Sequence, residues 1–421
     1  MLKKIFIFFR ILLRCNIFFK IPKKDLAIFD LKTLNSIKTF SNYDFFILET
    51  RPHEIKNIYF NLNILNYILK NLFKRKLFTI YLESLILLSG AKLIISKIDN
   101  SLKLSEITKR LKKKVNFITI QNASRYEYLQ HYEFFTKKIV RENLLNKYDF
   151  QNYLVFGKYE KENFKKIGIK VDNFYEIGNI QWSNFIEYQN KKKSITEDKK
   201  FFASDICLLA EYSNPGETWH ADNAYSAYDK SNLKRSRKEK ENRLTENHKT
   251  LLNFTLRFCI ENSLKLIIPS KRDKKYDGKG YLDEINFFKK YVDKKYTSFF
   301  EKSLLTKSRD DYTSYKSIQN SDLVIGFCST LLKDKIGNNG KILSCNFTNY
   351  DFWNFPINGI CSLNKCSYEK FSDRINKIRK MSYIEYLNHL DHNPSYVMTK
   401  YDHSNNSIHK LDKIINKYLN L

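Results

Sequence analysis

Short apolar runs alternate with longer amphipathic stretches along most of the chain, and the two patterns predict different elements. Compact apolar runs predict buried strands, whereas apolar residues spaced by three and four predict helices. In the first half DLAIFD (25–30), YDFFILE (43–49), AKLIISKID (91–99), VNFITIQN (115–122), YLVFG (153–157) and FYEIGN (174–179) read as strands. Between them IYFNLNILNYILKNL (58–72), IYLESLILL (80–88), LKLSEITKRLKKK (102–114) and EKENFKKIG (160–168) read as helices. Such a succession predicts a largely parallel sheet with helices on both faces.

The segment EYQNKKKSITEDKK (187–200) is almost wholly polar and reads as a linker, after which the pattern restarts. DICLLAEY (205–212), LKLIIPS (264–270), DLVIGF (322–327) and GKILSCN (340–346) predict strands. TENHKTLLNFTLRFCIEN (245–262), YLDEINFFKKYVD (281–293), DYTSYKSIQ (311–319) and STLLKDKIG (329–337) predict helices, as does the tail at 406–420. The polar stretch 213–244 reads as a long loop or insertion. The expected fold class is α/β, with two Rossmann-type domains facing a central cleft. Ligands of such sheets sit outside the carboxyl ends of the strands.

Composition narrows this picture. The 421 residues are too many for one ordinary core and suit two domains. A formal charge of +29 favours anionic partners: nucleic acid, anionic lipid or phosphorylated substrates. The basic runs Lys191–Lys193 and Lys234–Lys240 read as solvated loops, and no nucleic-acid-binding signature accompanies them, so nucleic acid is not an expected partner. The seven cysteines include no CxxC and several lie in apolar strands. Reduced, buried thiols and a cytoplasmic location are therefore expected. The N-terminal stretch MLKKIFIFFRILLRCNIFFK interleaves cations with Phe, Ile and Leu. Arg10 and Arg14 break any run long enough to span a bilayer, so it reads either as a basic segment lying on an anionic membrane or as a first helix packed on its own domain.

Candidate chemistry collects at the predicted strand ends. Ser329 and Thr330 stand where a strand meets a helix, which suits an ordinary N-cap or an anion site on free backbone N–H groups. Asp334 lies one turn on, as a hydroxyl acceptor or as a solvated first-turn acid. Lys271 and Arg272 follow another strand, where two cations would neutralise a diphosphate or simply form a basic loop. Glu211 and Tyr212, with Ser213, Trp219 and His220 beyond, follow a third and suit base stacking, acid/base work or an ordinary polar loop. In the first half Asn100, Gln121, Asn122 and Arg125 also sit at strand ends, and Asp99 or Glu49 could serve as general base toward an acceptor hydroxyl or simply cap a loop.

IDNS (98–101), ITIQNASR (118–125), YLVFGKYEKENFKKIGI (153–169), FYEIGN (174–179) and SDLVIGFCSTLLKD (321–334), in that order, resemble the surface carbohydrate biosynthesis family. That family is similar to GT-B-type glycosyltransferases and to the CDP-glycerol glycerophosphotransferases. The resemblance spans roughly 90–350, with Ala123 in place of a glycine, Asp334 in place of a glutamate, and Asn338–Asn339 lengthening a turn. It implies a GT-B-like fold: an acceptor domain over 1–188, a nucleotide-donor domain over 201–380, and C-terminal helices over 381–421 packing back on the first domain. Ser329 and Thr330 would match its phosphate-binding turn. The implied activity is metal-independent transfer of a sugar from a nucleotide-activated co-substrate to a surface glycan or its lipid-linked precursor, with no bound cofactor, at the inner face of the cell membrane. Transfer of a polyol phosphate from a CDP-linked donor, or an inactive glycan- or lipid-binding scaffold, are the alternatives.

Overall fold

The computed structural model describes residues 13–36, 43–51, 55–72, 76–125, 148–191, 203–212, 230–275, 277–306 and 312–420. The first twelve residues of the basic N-terminal stretch, and Ser213, Trp219 and His220, lie outside them. The chain divides into two compact units. One holds the chain up to Ala123, from 148 to Asn184, and from Asp402 onward; the other runs from Phe185 to Tyr401 and includes Ser124 and Arg125.

The first unit is built on six parallel strands in the order β3-β2-β5-β6-β7-β8. These are β2 (Leu26–Phe29), β3 (Phe45–Leu48), β5 (Leu93–Ser96), β6 (Asn116–Ile120), β7 (Asp149–Val155) and β8 (Lys170–Glu176). A separate parallel ribbon joins β1 (Asn16–Phe18) to β4 (Asn57–Tyr59). Its helices are α1 (Leu31–Ser36), α2 (Leu62–Asn71), α3 (Leu77–Ser89), α4 (Leu102–Leu111), α5 (Lys158–Ile167) and α6 (Ile180–Lys191, which runs on into the other unit's residues).

The strand period of two distributes the core over both faces of this sheet. Ala27, Phe29, Ile94 and Phe117 pack on one side with Leu82, Leu85, Ile86 and Ile107 of α3 and α4. Leu26, Ile28, Ile95 and Ile118 face the other way, against Leu411, Ile414 and Ile415 of α14 (Ser407–Leu419). Asn406 caps that helix by accepting from the Ile408 and His409 amides. Ser407 Oγ donates to the Ile177 carbonyl at 2.7 Å and Tyr43 bridges to Asn416 at 2.6 Å. This helix thus supplies much of one layer of the unit, beside Ile177 and Ile180.

The second unit repeats the style with β9 (Ser204–Leu209), β10 (Leu266–Pro269), β11 (Leu304–Leu305), β12 (Ser321–Gly326), β13 (Lys341–Asn346) and β14 (Ser362–Asn364), all parallel, in the order β11-β10-β9-β12-β13-β14. Its helices are α7 (Lys230–Glu261), α8 (Gly278–Tyr291), α9 (Thr297–Ser303), α10 (Thr313–Gln319), α11 (Thr330–Gly337), α12 (Tyr368–Lys380) and α13 (Tyr383–Asn388). The fold class expected from the sequence, α/β with two Rossmann-type sheets, is the one observed.

Three local expectations are corrected. The polar stretch 230–244, with the basic run 234–240, is not loop but the start of α7, whose apolar spacing becomes legible only from Leu244 onward. The supposed helix 58–72 is divided: Ile58 and Tyr59 belong to β4, and α2 starts only after Asn61, whose side chain accepts from the Ile64 amide. In the tail from 381, α13 stays with the second unit, since Tyr386 Oη bonds both the amide and the carbonyl of Ile342 in β13. Only the chain from Asp402 joins the first unit.

Candidate functional site

In the second unit the strand order reverses between β9 and β12, so the crevice at their carboxyl ends is the natural ligand position of a doubly wound sheet. The two strands close tightly there. Gly326 pairs with Leu209, and a Cβ on Gly326 would stand 3.1 Å from Leu209 Cβ. Glu211 and Tyr212 leave β9, Lys271 and Arg272 leave β10, and Cys328 to Thr330 leave β12. The structure therefore brings these predicted donor-side residues to one edge of one sheet.

Their contacts decide what that edge can do. The turn after β10 is clamped by Glu284, fully buried in α8, which accepts from the Lys271 amide at 2.8 Å and the Arg272 amide at 2.9 Å. Burial raises the Glu284 carboxyl above its ordinary value, against the lowering effect of those two amides. Lys271 Nζ reaches Glu211 at 2.6 Å, and this carboxylate holds the ammonium above its usual value. The lysine side chain is 52% exposed, so the pair contributes at most about 1 kcal/mol. Arg272 donates to Tyr212 Oη at 2.8 Å and to Asp277 at 3.1 Å. Both cations are thus oriented by neighbours, and each has a carboxylate that a phosphate would have to replace.

After β12 the chain turns sharply. Cys328 has φ +38°, in the left-handed region that costs a non-glycine residue on the order of 1 kcal/mol or more. Ser329 occupies the N-cap position of α11, yet its hydroxyl makes no capping bond. The Thr330 hydroxyl accepts from the Ser124 amide at 3.1 Å, so it already has a structural role. Asp334 is fully buried, which removes it from the solvated first turn where the sequence placed it. Burial and the Glu211 carboxylate push the Cys328 thiol well above its ordinary value, so it stays protonated.

Sequence reasoning missed His248 and Asn247 on α7. His248 is buried between the rings of Phe287, at 6.3 Å, and Phe327, at 5.7 Å. Burial pushes its pKa down to about 4, with Glu211 raising it and Lys271 lowering it further, so the imidazole is neutral at physiological pH. Among the described residues its Nδ1 has no hydrogen-bond partner, and neither has Asn247 Nδ2, although Asn247 Oδ1 accepts from the Phe347 amide at 2.7 Å. The signal available was a polar ENH triplet opening an apolar helical run.

The first unit's strand order reverses between β2 and β5. There the sequence missed Asp30, buried and at φ +82°, whose carboxylate accepts from Thr50 Oγ1 at 2.6 Å and Arg51 Nε at 2.8 Å. Asp99 follows β5 but is buried, accepting from Tyr153 Oη at 2.9 Å and the Asn122 amide at 3.3 Å. Glu49 accepts from the Lys56 and Asn57 amides at 2.6 and 2.9 Å and so tethers the segment that enters β4. Gln121 is buried and bridges the Ala123 carbonyl to the Phe156 amide, while Asn100 and Asn122 are exposed. Arg125 is buried and belongs to the second unit. Among the described residues no three His, Cys, Asp or Glu side chains converge as metal ligands.

No protein-family profile and no curated protein matches the chain. Among solved structures it is similar to the wall teichoic acid polymerase TagF, at 12% identity over 95% of this chain and 89% of that one, with a TM-score of 0.46. It is similar to the UDP-GlcNAc 2-epimerase of Neisseria meningitidis bound to UDP-GlcNAc, at 11% identity over 94% and 98% of the chains, with a TM-score of 0.46. A ugt transferase from Siraitia grosvenorii in complex with UDP aligns at 9% identity over 94% and 99%, with a TM-score of 0.42.

Proposed function

We propose that the protein is a glycosyltransferase that holds a nucleotide-activated sugar at the β9/β12 reversal of its second unit and transfers the sugar to a hydroxyl of a surface polysaccharide or its lipid-linked precursor. The observation that carries this reading is the Glu284 clamp, which fixes the backbone of Lys271 and Arg272 at the same sheet edge as the uncapped start of α11. A donor diphosphate there would replace Glu211 and Asp277 as partner of the two cations and gain the Ser329 hydroxyl. Charge developing on the leaving phosphate would then be met by oriented donors, which stabilise a transition state without a metal.

Calorimetry with nucleoside diphosphates and nucleotide sugars tests the reading. Ser329→Ala and Lys271→Ala should each weaken diphosphate binding about tenfold, since one charge-assisted hydrogen bond is worth roughly 1.5–3 kcal/mol. Unchanged affinity in both variants would sink the assignment of the site. Preference for CDP-glycerol over every nucleotide sugar would move the activity to polyol-phosphate transfer. Absence of any nucleotide binding would leave only a scaffold role.

A further inference from the structure

The first unit carries a continuous apolar surface that the donor site does not use. The β1–β4 ribbon presents Phe18 and Phe19 beside Phe60, and the pieces are tied together by backbone geometry. The Phe60 amide donates to the Phe18 carbonyl at 2.8 Å, and the Phe18 ring stacks on Tyr59 at 5.6 Å. Asn61, the N-cap of α2, donates from Nδ2 to the Phe19 carbonyl at 3.1 Å, which sets Phe19 next to the first turn of that helix.

Helix α2 then extends the surface. Its inner side buries Ile64 completely and packs Ile68 on the core. Its outer side repeats leucine at 62, 65, 69 and at 72 just past its end, a spacing of three, four and three that draws one stripe along the helix. Leu62 is 82% exposed, Phe19 72% and Leu69 59%. Single exposed leucines are ordinary on a soluble surface, but a helical stripe running into a cluster of phenylalanines is an interaction surface.

The charges around it identify the partner. Throughout the described stretches 13–24, 55–72 and 76–77 every charged residue is Lys or Arg. Lys20, Lys56, Lys70 and Lys76 are all exposed. Apolar side chains with exposed cations around them, and with the half-buried Glu49 held by the Lys56 and Asn57 amides, fit a surface that is apolar below and anionic above. A second copy of the chain fits badly, because a two-fold contact would set this patch against itself and face cation to cation. No described helix is long and apolar enough to cross a membrane, so the contact would be one of lying on the bilayer.

We propose that the face formed by the β1–β4 ribbon and the outer stripe of α2 docks the protein on an anionic lipid bilayer. Sedimentation of the full chain with vesicles tests this, using phosphatidylcholine alone or with about 30 mol% phosphatidylglycerol. The wild type should sediment with the anionic vesicles, and high salt should weaken the binding. The double substitution Leu62→Ser/Leu69→Ser should lower the bound fraction at limiting lipid about tenfold. Lys20→Glu/Lys70→Glu should weaken binding to anionic vesicles. All four side chains are exposed, so circular dichroism and the melting temperature should stay at wild-type values. Wild-type binding retained by the leucine variant overturns the proposal, as does failure of the wild type to bind. A wild-type dimer that the leucine variant dissociates also overturns it, by giving the surface to a second copy.

Discussion

Acidification should destabilise the second unit through one side chain, His248. Its imidazole is held neutral by burial, with a pKa of about 4 against an ordinary 6.5. Since the folded value is the lower one, the unfolded chain takes up the proton first. Stability is therefore complete above 6.5 and is lost as the pH falls toward 4. One pKa unit corresponds to about 1.4 kcal/mol, so the full loss is roughly 3 kcal/mol, of which about 2 kcal/mol is already gone near pH 5. Replacing the imidazole by an apolar ring of similar size, His248→Phe, removes the titration while keeping the contacts with Phe287 and Phe327. Urea unfolding can be followed by tryptophan fluorescence, because Trp353 lies 5.4 Å from Phe327. The wild type should lose about 2 kcal/mol more than His248→Phe between about pH 7.5 and about pH 5. Equal losses in the two proteins would refute the claim that a buried neutral imidazole of α7 sits between Phe287 and Phe327.

Three further outcomes follow from contacts elsewhere. Glu284→Ala leaves two backbone amides without their acceptor and should cost about 1–3 kcal/mol in urea unfolding, with a weaker nucleotide isotherm; Glu284→Gln, which keeps one acceptor oxygen, should fall between it and the wild type. Leu411→Ala empties a fully buried position of α14 and should cost about 2–5 kcal/mol by thermal or urea unfolding, whereas exposed Leu62→Ser should change stability by less than about 0.5 kcal/mol. Asp30→Ala strips Arg51 and Thr50 of a buried partner at a left-handed position and should cost about 3 kcal/mol, and Asp30→Asn, which tolerates that backbone, distinctly less.

The strands were legible because buried parallel strands have no polar face to blur the signal. AKLIISKID and LKLIIPS each enclose the observed strand, and DLVIGF is offset from it by one residue. Elements stabilised from outside their own sequence were not. Lys230–Leu244 carries few apolar residues, and its helical form is continuous with the apolar run that begins there. β1 and β4 are three residues each and exist only as each other's partner. Strand-end position was legible for Lys271, Arg272, Glu211 and Ser329, which leave β10, β9 and β12 as expected. What the sequence could not supply was direction. Asp99 and Asp334 turn into the protein, while His248 and Asp30 gain their surroundings from elements distant in sequence.

The place of α14 has a consequence for biosynthesis. Leu26, Ile28, Ile95 and Ile118 are translated long before Leu411, Ile414 and Ile415, yet they share one layer of core. Until Leu411, Ile414 and Ile415 leave the ribosome, one face of the first sheet lacks much of its cover, whereas every described strand of the second unit is already available to pair. The later-translated unit can therefore complete its fold first. The earlier one waits with an apolar sheet face partly exposed, a condition in which a nascent chain depends on protection from aggregation.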